Sequence, residues 1–324
     1  MSKFFFSLAL ILSGISFGYA LQQLAARNRF PLPLNDLRKA MQKLAMLFFG
    51  PFTFLAAIWI VEIPDRSMLM LPLLDVVGVS LGGGLAIAAE RLLRLPPRQA
   101  GALFTCGAFA NIGSIGGLVA FIFLDERAFA LMTIYTVLQP FLYLMIGFPI
   151  AKSYGIKGNS AQAGTSRSLK KFLRDPFILS GLSTLTIGAL LKIAGVPRPP
   201  IFGAINAIFI PGTTFILLIT IGMTLKFSRI KNYLRECIII AGIKFVCVPL
   251  CLSLLALLLG YHKIDGGLPM KVVLVVSSMP VAFNGLVASS LYNLDLDVTN
   301  SCFLFTTGGL IVTLPILYYL LHLI

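Results

Sequence analysis

Ten apolar runs, each about as long as a membrane-crossing helix and separated by short connections, dominate this 324-residue chain. They fall at about 4–25, 40–61, 69–90, 99–122, 128–151, 176–194, 203–225, 236–259, 269–290 and 298–321. A span takes about 20 apolar residues, so the length is used up by spans and connections. Only 12% of residues are charged, 58% are hydrophobic and the mean hydropathy is +0.93. An ordinary soluble domain carries roughly 25% charged residues, and this chain could not cover a globular surface with so few. Lipid is the solvent for most of it, and a soluble enzyme is excluded. The first run follows Met1-Ser2-Lys3 and ends near Gly18-Tyr19-Ala20, in the manner of a leader. It is long enough to span and is read as the first helix.

The formal charge of +14 is a statement about topology. Connections after runs 1, 3, 5, 7 and 9 hold 18 Lys and Arg; the other side, termini included, holds 7. The positive-inside rule puts the first set in the cytoplasm and both termini outside, with anionic lipid as a secondary attraction. The cytoplasmic set includes the Gly/Ser/Gln-rich linker 152–175, too small for a domain. No basic run is interleaved with exposed aromatics, so nucleic acid is not a partner. The expected organisation is one polytopic domain, 1–324, made of repeats 1–151 and 176–324. Cys106, Cys237, Cys247, Cys251 and Cys302 show no CxxC spacing and read as small hydrophobes, with no disulfide and no metal.

The two halves echo each other. Gly117-Leu118-Val119-Ala120 recurs as Gly285-Leu286-Val287-Ala288, shifted by 168 residues, and Leu124-Asp125 recurs as Leu294-Asp295, shifted by 170. Ser16 to Leu21 is echoed by Thr186 to Leu191, again at 170, and the second run of each half holds a proline, Pro51 and Pro211. Five spans is an odd number, so the second half enters the membrane inverted. The fold class is therefore an all-α membrane protein of ten transmembrane helices, arranged as two inverted five-helix repeats. Such repeats are the mark of secondary transporters, whose substrate sits where discontinuous helices meet. Runs four and nine suit that role. The first carries Phe109-Ala110-Asn111-Ile112-Gly113-Ser114-Ile115-Gly116-Gly117. The second carries Ser277-Ser278-Met279-Pro280-Val281-Ala282-Phe283-Asn284-Gly285, where Pro280 removes a donor and Asn-Gly favours a turn. The alternative is close packing through small residues, since Gly113 and Gly117 form a GxxxG pair.

Phe109-Ala110-Asn111 to Gly147, Asp175-Pro176 to Leu225, and above all Met279-Pro280-Val281-Ala282-Phe283-Asn284 to Pro315 resemble the auxin efflux carrier family over essentially the whole chain. The resemblance implies a fold related to bile-acid/sodium symporters, with broken crossover helices 4 and 9. It implies an elevator-type carrier with spans 1, 2, 6 and 7 as scaffold and 3 to 5 and 8 to 10 as transport domain. By analogy a homodimer through the scaffold follows. The plant members' long cytoplasmic loop is missing, and Ile112-Gly113 stands where the family's first crossover has a proline. Auxin as substrate does not follow.

Asp75 in run three and Lys244 in run eight are the clearest intramembrane charges. Each costs about 2.5–3.5 kcal/mol at the bilayer centre on insertion scales, so each is a functional candidate by default. Asp75 is read as a coupling group for H+ or Na+, or else as a water-facing carboxylate. Lys244 is read as countercharge for an anionic substrate or for Asp75, or else as a snorkelling side chain. They lie 169 residues apart, at equivalent places in the repeats. Inverted symmetry then puts them on opposite sides of the midplane, where a direct salt bridge is not assured. Asn111, Gly113, Ser114, Gln139, Pro280 and Asn284 complete the expected substrate site. Asn111 and Asn284 offer donor and acceptor groups without the cost of a charge, and Gln139 could equally make an interhelical hydrogen bond. Thr306-Thr307-Gly308-Gly309 is a weaker candidate, and His262 and His322 are bystanders. The expected function is transport of small organic anions such as carboxylates across the cytoplasmic membrane, by uniport or proton linkage, without a cofactor. A sodium-coupled symporter is the alternative. No HExxH, second intramembrane acid or Walker motif supports an enzyme or an ATP-driven pump, and no loop is large enough for a signalling domain.

Overall fold

The structure is a computed structural model that describes residues 2–27, 33–61, 65–158, 176–225 and 230–324. The centre of the expected linker 152–175 lies outside these. In chain order the helices are α1 (Ser2–Ala26), α2 (Leu34–Ile60), α3 (Arg66–Leu93), α4 (Pro97–Ala108), α5 (Ile112–Phe123) and α6 (Glu126–Ile156). They continue with α7 (Pro176–Ile193), α8 (Ile201–Gly222), α9 (Ile230–Leu258), α10 (Leu268–Ser277), α11 (Phe283–Leu291) and α12 (Leu296–Leu323). Among the described residues seven helices, α1, α2, α3, α6, α8, α9 and α12, are long and apolar enough to cross a membrane. The ten apolar runs differ from these seven in three places. Runs four and nine are each divided between two short helices, and the described apolar part of run six, Leu179–Ile193, is shorter than a full span.

Helix ends follow local chemistry. Asp65 accepts from the Ser67 amide at 2.6 Å to start α3, and Ser67's donors hold that carboxyl below the usual carboxylate range. Asp125 accepts from the Ala128 amide at 2.9 Å, and Asp295 from the amides of Asp297 and Val298 at 3.0 and 3.1 Å. The Leu-Asp pair that recurs in the sequence is thus a helix start in both halves. Prolines shape the interiors. Leu44–Phe49, Tyr143–Gly147 and Ile243–Cys247 are wound wider than an α-helix, and Pro51, Pro149 and Pro249 follow each by two residues. A proline clashes with the carbonyl four residues before it, here that of Leu47, Met145 or Phe245, and opening the turn relieves the clash.

The chain divides into two compact units. The first comprises Met1–Ile63, Gly113–Thr133 and Ser166–Leu225. In it α1 and α8 cross where Gly18 faces Gly222, and a Cβ on either would overlap backbone of the other helix. Such close approach lets two helices gain dispersion and packing that lipid cannot supply. The same unit holds a polar network with no counterpart among the sequence expectations. Arg198 grips Glu126 with two bonds of 2.6 and 2.9 Å and donates to Ala56 O at 2.7 Å, while Asn206 donates to Glu126 at 2.6 Å. The second unit comprises Pro64–Ile112, Ile134–Thr165 and Lys226–Ile324. Spans 1, 2, 6 and 7 fall together in the first unit, but 113–133, expected with the transport domain, groups with them. Within the second unit α3 and α4 touch through Gly82 and Gly107, again with no room for a Cβ.

Gly222→Val should therefore weaken the fold by about 2 kcal/mol or more through overpacking against backbone. Gly212→Ala on the same helix, where a Cβ meets nothing within 4 Å, should not. Thermal unfolding of both variants in detergent checks this.

Candidate functional site

Two helix breaks meet in the second unit. After α4 the backbone turns extended at Phe109 (φ −96°, ψ 123°), and before α11 it is extended at Ala282 (φ −78°, ψ 152°). The two segments pair as an isolated antiparallel bridge between Ala110 and Val281. Asn111 N–H donates to Pro280 O at 2.8 Å, and Ala282 N–H to Phe109 O at 3.0 Å. The remaining donors are met by side chains. Ala110 N–H reaches the Tyr143 hydroxyl of α6 at 3.3 Å, and Val281 N–H reaches Thr306 Oγ1 of α12 at 3.2 Å. Pro280 has no donor to satisfy. A break buried this way leaves none of these amides exposed to lipid.

Both breaks fall within the stretches expected to be discontinuous, 109–117 and 277–285, and the second lies at Pro280, but neither falls at a glycine. Gly113, Gly116 and Gly117 are helical, in α5, and the break precedes them at 109–111. A Cβ on Gly117 would come within 2.8 Å of Met132 and 3.0 Å of Phe129, so close packing explains that glycine. Asn284 and Gly285 likewise sit in the first turn of α11, because the break ends at Ala282.

Beside the joined breaks a narrow cleft is lined by Asp75, Tyr135, Lys244, Ala110 and Ser277 among others. Asp75 is 1% exposed and Lys244 3% exposed. Gln139 Nε2 donates to Asp75 Oδ1 at 3.3 Å, and Asp75 Oδ2 has no partner among the described residues. No ion pair joins Asp75 to Lys244, although both face the same cleft and interact electrostatically. Lys244 rides on the widened turn that Pro249 imposes.

The structure thus brings Asp75, Lys244, Gln139, Asn111 and Pro280 into one unit, with Asn111 buried and Asn284 exposed on the first turn of α11. Gly113 and Ser114 belong to the other unit, where Ser114 O accepts from Thr214. Tyr135, Tyr143 and Ser277 were missed. The two tyrosines counted as apolar, yet their spacing of four residues about Gln139 puts all three on one helix face. Three of the five cysteines also converge. Cys302 interacts electrostatically with Cys106 and Cys237, and all three are fully buried. Their sequence separation hides this cluster. Among the described residues no group of His, Cys, Asp and Glu is arranged to hold a metal ion.

Comparison with known proteins agrees with the helical pattern. The family described as "Membrane transport protein" matches residues 8–318. An "Uncharacterized transporter" of Methanothermobacter thermautotrophicus is 21% identical over 253 residues, 77% of this chain and 78% of that protein.

Thr306→Val removes the acceptor for the buried Val281 N–H and should cost about 1–3 kcal/mol of stability. Thr306→Ser keeps an oxygen there and should recover most of it. Melting curves of the two variants in one detergent decide the matter.

Proposed function

We propose, from the premise that this chain belongs to the membrane transport protein family of auxin efflux carriers, that it is a secondary carrier of small organic anions such as carboxylates. It is a multi-pass membrane protein of a transporter family rather than of an enzyme family. The observation that carries the finer reading is the pair of buried opposite charges, Asp75 and Lys244, facing one cleft beside the joined breaks. A buried ammonium with no ion-pair partner among the described residues favours an anion nearby, and Asn111 and the N-terminal turn of α11 add donors and partial positive charge. Asp75 then serves as the coupling group: ionised it neutralises Lys244, and protonated it leaves Lys244 to the substrate. That alternation links anion binding to proton uptake.

In this reading the protein has ten spans in two inverted repeats, with α4/α5 and α10/α11 as the crossover helices. The second unit is the moving transport domain and the first the scaffold. The linker 152–175 is cytoplasmic, both termini are extracytoplasmic, and the membrane is the cell's cytoplasmic membrane. A second reading, sodium coupling, draws on the unpartnered Asp75 Oδ2, which could bind a cation. The ammonium of Lys244 in the same cleft opposes it.

In proteoliposomes given a radiolabelled dicarboxylate such as malonate, wild-type uptake should rise with an inward proton gradient, and Asp75→Asn should remove that dependence. Unchanged pH dependence in the variant would remove Asp75 from the mechanism. Replacing sodium by choline should leave uptake unaltered; a requirement for a sodium gradient would select the second reading.

A further inference from the structure

The inner face of α6 carries Tyr135, Gln139, Tyr143 and Gly147, each four residues after the last. The widened turn Tyr143–Gly147 brings its two ends toward one neighbour. Each member has a task. Tyr135 lines the cleft, and Gln139 donates to Asp75 Oδ1 at 3.3 Å. The Tyr143 hydroxyl accepts from Ala110 N–H at 3.3 Å and points its own proton at Ala110 O, 3.5 Å away. Gly147 leaves room for the Phe109 ring, which a Cβ there would meet at 2.5 Å, and that ring lies 4.3 Å from the Tyr143 ring, centroid to centroid. One helix face therefore runs from the buried carboxylate to the first break. Tyr143 grips both peptides flanking Ala110, and the second of these carries Asn111, whose N–H holds Pro280.

We propose that Tyr143 is a positioning residue that relays the charge state of Asp75 to the Ala110 peptides, and so sets how Asn111 and the joined breaks are presented. The hydroxyl is both donor and acceptor, and its proton is its mobile part. Asp75 lies within electrostatic reach of Tyr135 and Tyr143. When Asp75 is ionised, its field draws the phenolic proton away from Ala110 O. When Asp75 is neutral, the proton returns to Ala110 O and the grip closes on both peptides. A protonated Asp75 also turns from acceptor to donor, which reverses the amide of Gln139 one turn below Tyr143. Lys244 faces the same cleft from α9, with Cys106 of α4 beside it, and its positive charge tempers the field.

The proposal rests on the reading in which Asp75 changes charge, but its test needs no substrate. Amide hydrogen exchange is followed by mass spectrometry on the peptide covering 109–112, with the full chain in lipid nanodiscs. Asp75→Asn stands in for the neutral carboxyl. In an otherwise wild-type chain it should slow exchange of this peptide about fivefold, the equivalent of one modest hydrogen bond. With Tyr143→Phe the same substitution should change it by less than about twofold, since the hydroxyl that carries the signal is gone. An Asp75→Asn effect of equal size with and without the hydroxyl overturns the relay, as does no effect at all. Should Tyr143→Phe fail to fold, Gln139→Leu interrupts the stripe one turn lower and must likewise blunt the Asp75→Asn effect. Failure of every carboxylate to be taken up would count against the carrier reading alone.

Discussion

A backbone that leaves the helix inside a membrane must find every hydrogen bond within the protein, because hydrocarbon offers none. The second unit meets that demand at Ala110 and Val281. Each broken segment alone would leave several buried N–H groups unpaired, at about 1–3 kcal/mol apiece. Paired, they satisfy two of those groups mutually, and Tyr143 and Thr306 take two more. Neither break is stable without the other and without α6 and α12. Four elements are thus bound to a single stretch of irregular chain, which explains why polar side chains on α6 and α12 are buried where apolar ones would pack as well.

The same scarcity of partners governs the charges. In the first unit Glu126 and Arg198 are joined by two hydrogen bonds, and Asn206 and Ala56 O add one more each. Such a pair is costly to disturb and has no reason to change state. In the second unit Asp75 and Lys244 are more deeply buried yet not joined, and one carboxylate oxygen has no partner among the described residues. Stability alone would favour closing that pair or replacing it with apolar residues. Under the proposed carrier reading, burying two charges and holding them apart suits a site whose protonation or ligand varies.

How much of this could be read from residue order depends on the range of the interaction. Charges are rare in apolar runs, so Asp75 and Lys244 stood out at once. The boundaries of α1, α3 and α12 were legible to within a few residues, and the recurring Leu-Asp pair was visible as a repeat, though its role as a helix start was not. The breaks were less closely legible. Glycines at 113, 116 and 117 pointed to a broken helix centred on them, but in a membrane helix glycine serves close packing as readily as a break, and Gly117 does so here. The actual break, at 109–111, is fixed by its partner at 280–282, and no local pattern announces a pairing across about 170 residues. Tyr143 and the cysteine cluster were hidden for the same reason: each reads as apolar until three helices bring its polar atom to a partner.

Proline placement carries the last step. Pro149 and Pro249 each force open the turn before them, and those turns hold Tyr143 and Lys244. A regular helix advances about 100° per residue, so four-residue steps drift around the axis, and a side chain one turn on would miss its neighbour. Opening the turn holds Tyr143 and Gly147 in register with Phe109 and Ala110. Neither proline lines the cleft, yet each shapes the turn that carries Tyr143 or Lys244. Removing the clash by substituting Pro149 would let the turn tighten toward α-helix and rotate Tyr143 relative to Gly147. A proline two residues beyond a functional turn is then a part of the site's geometry, although it binds nothing.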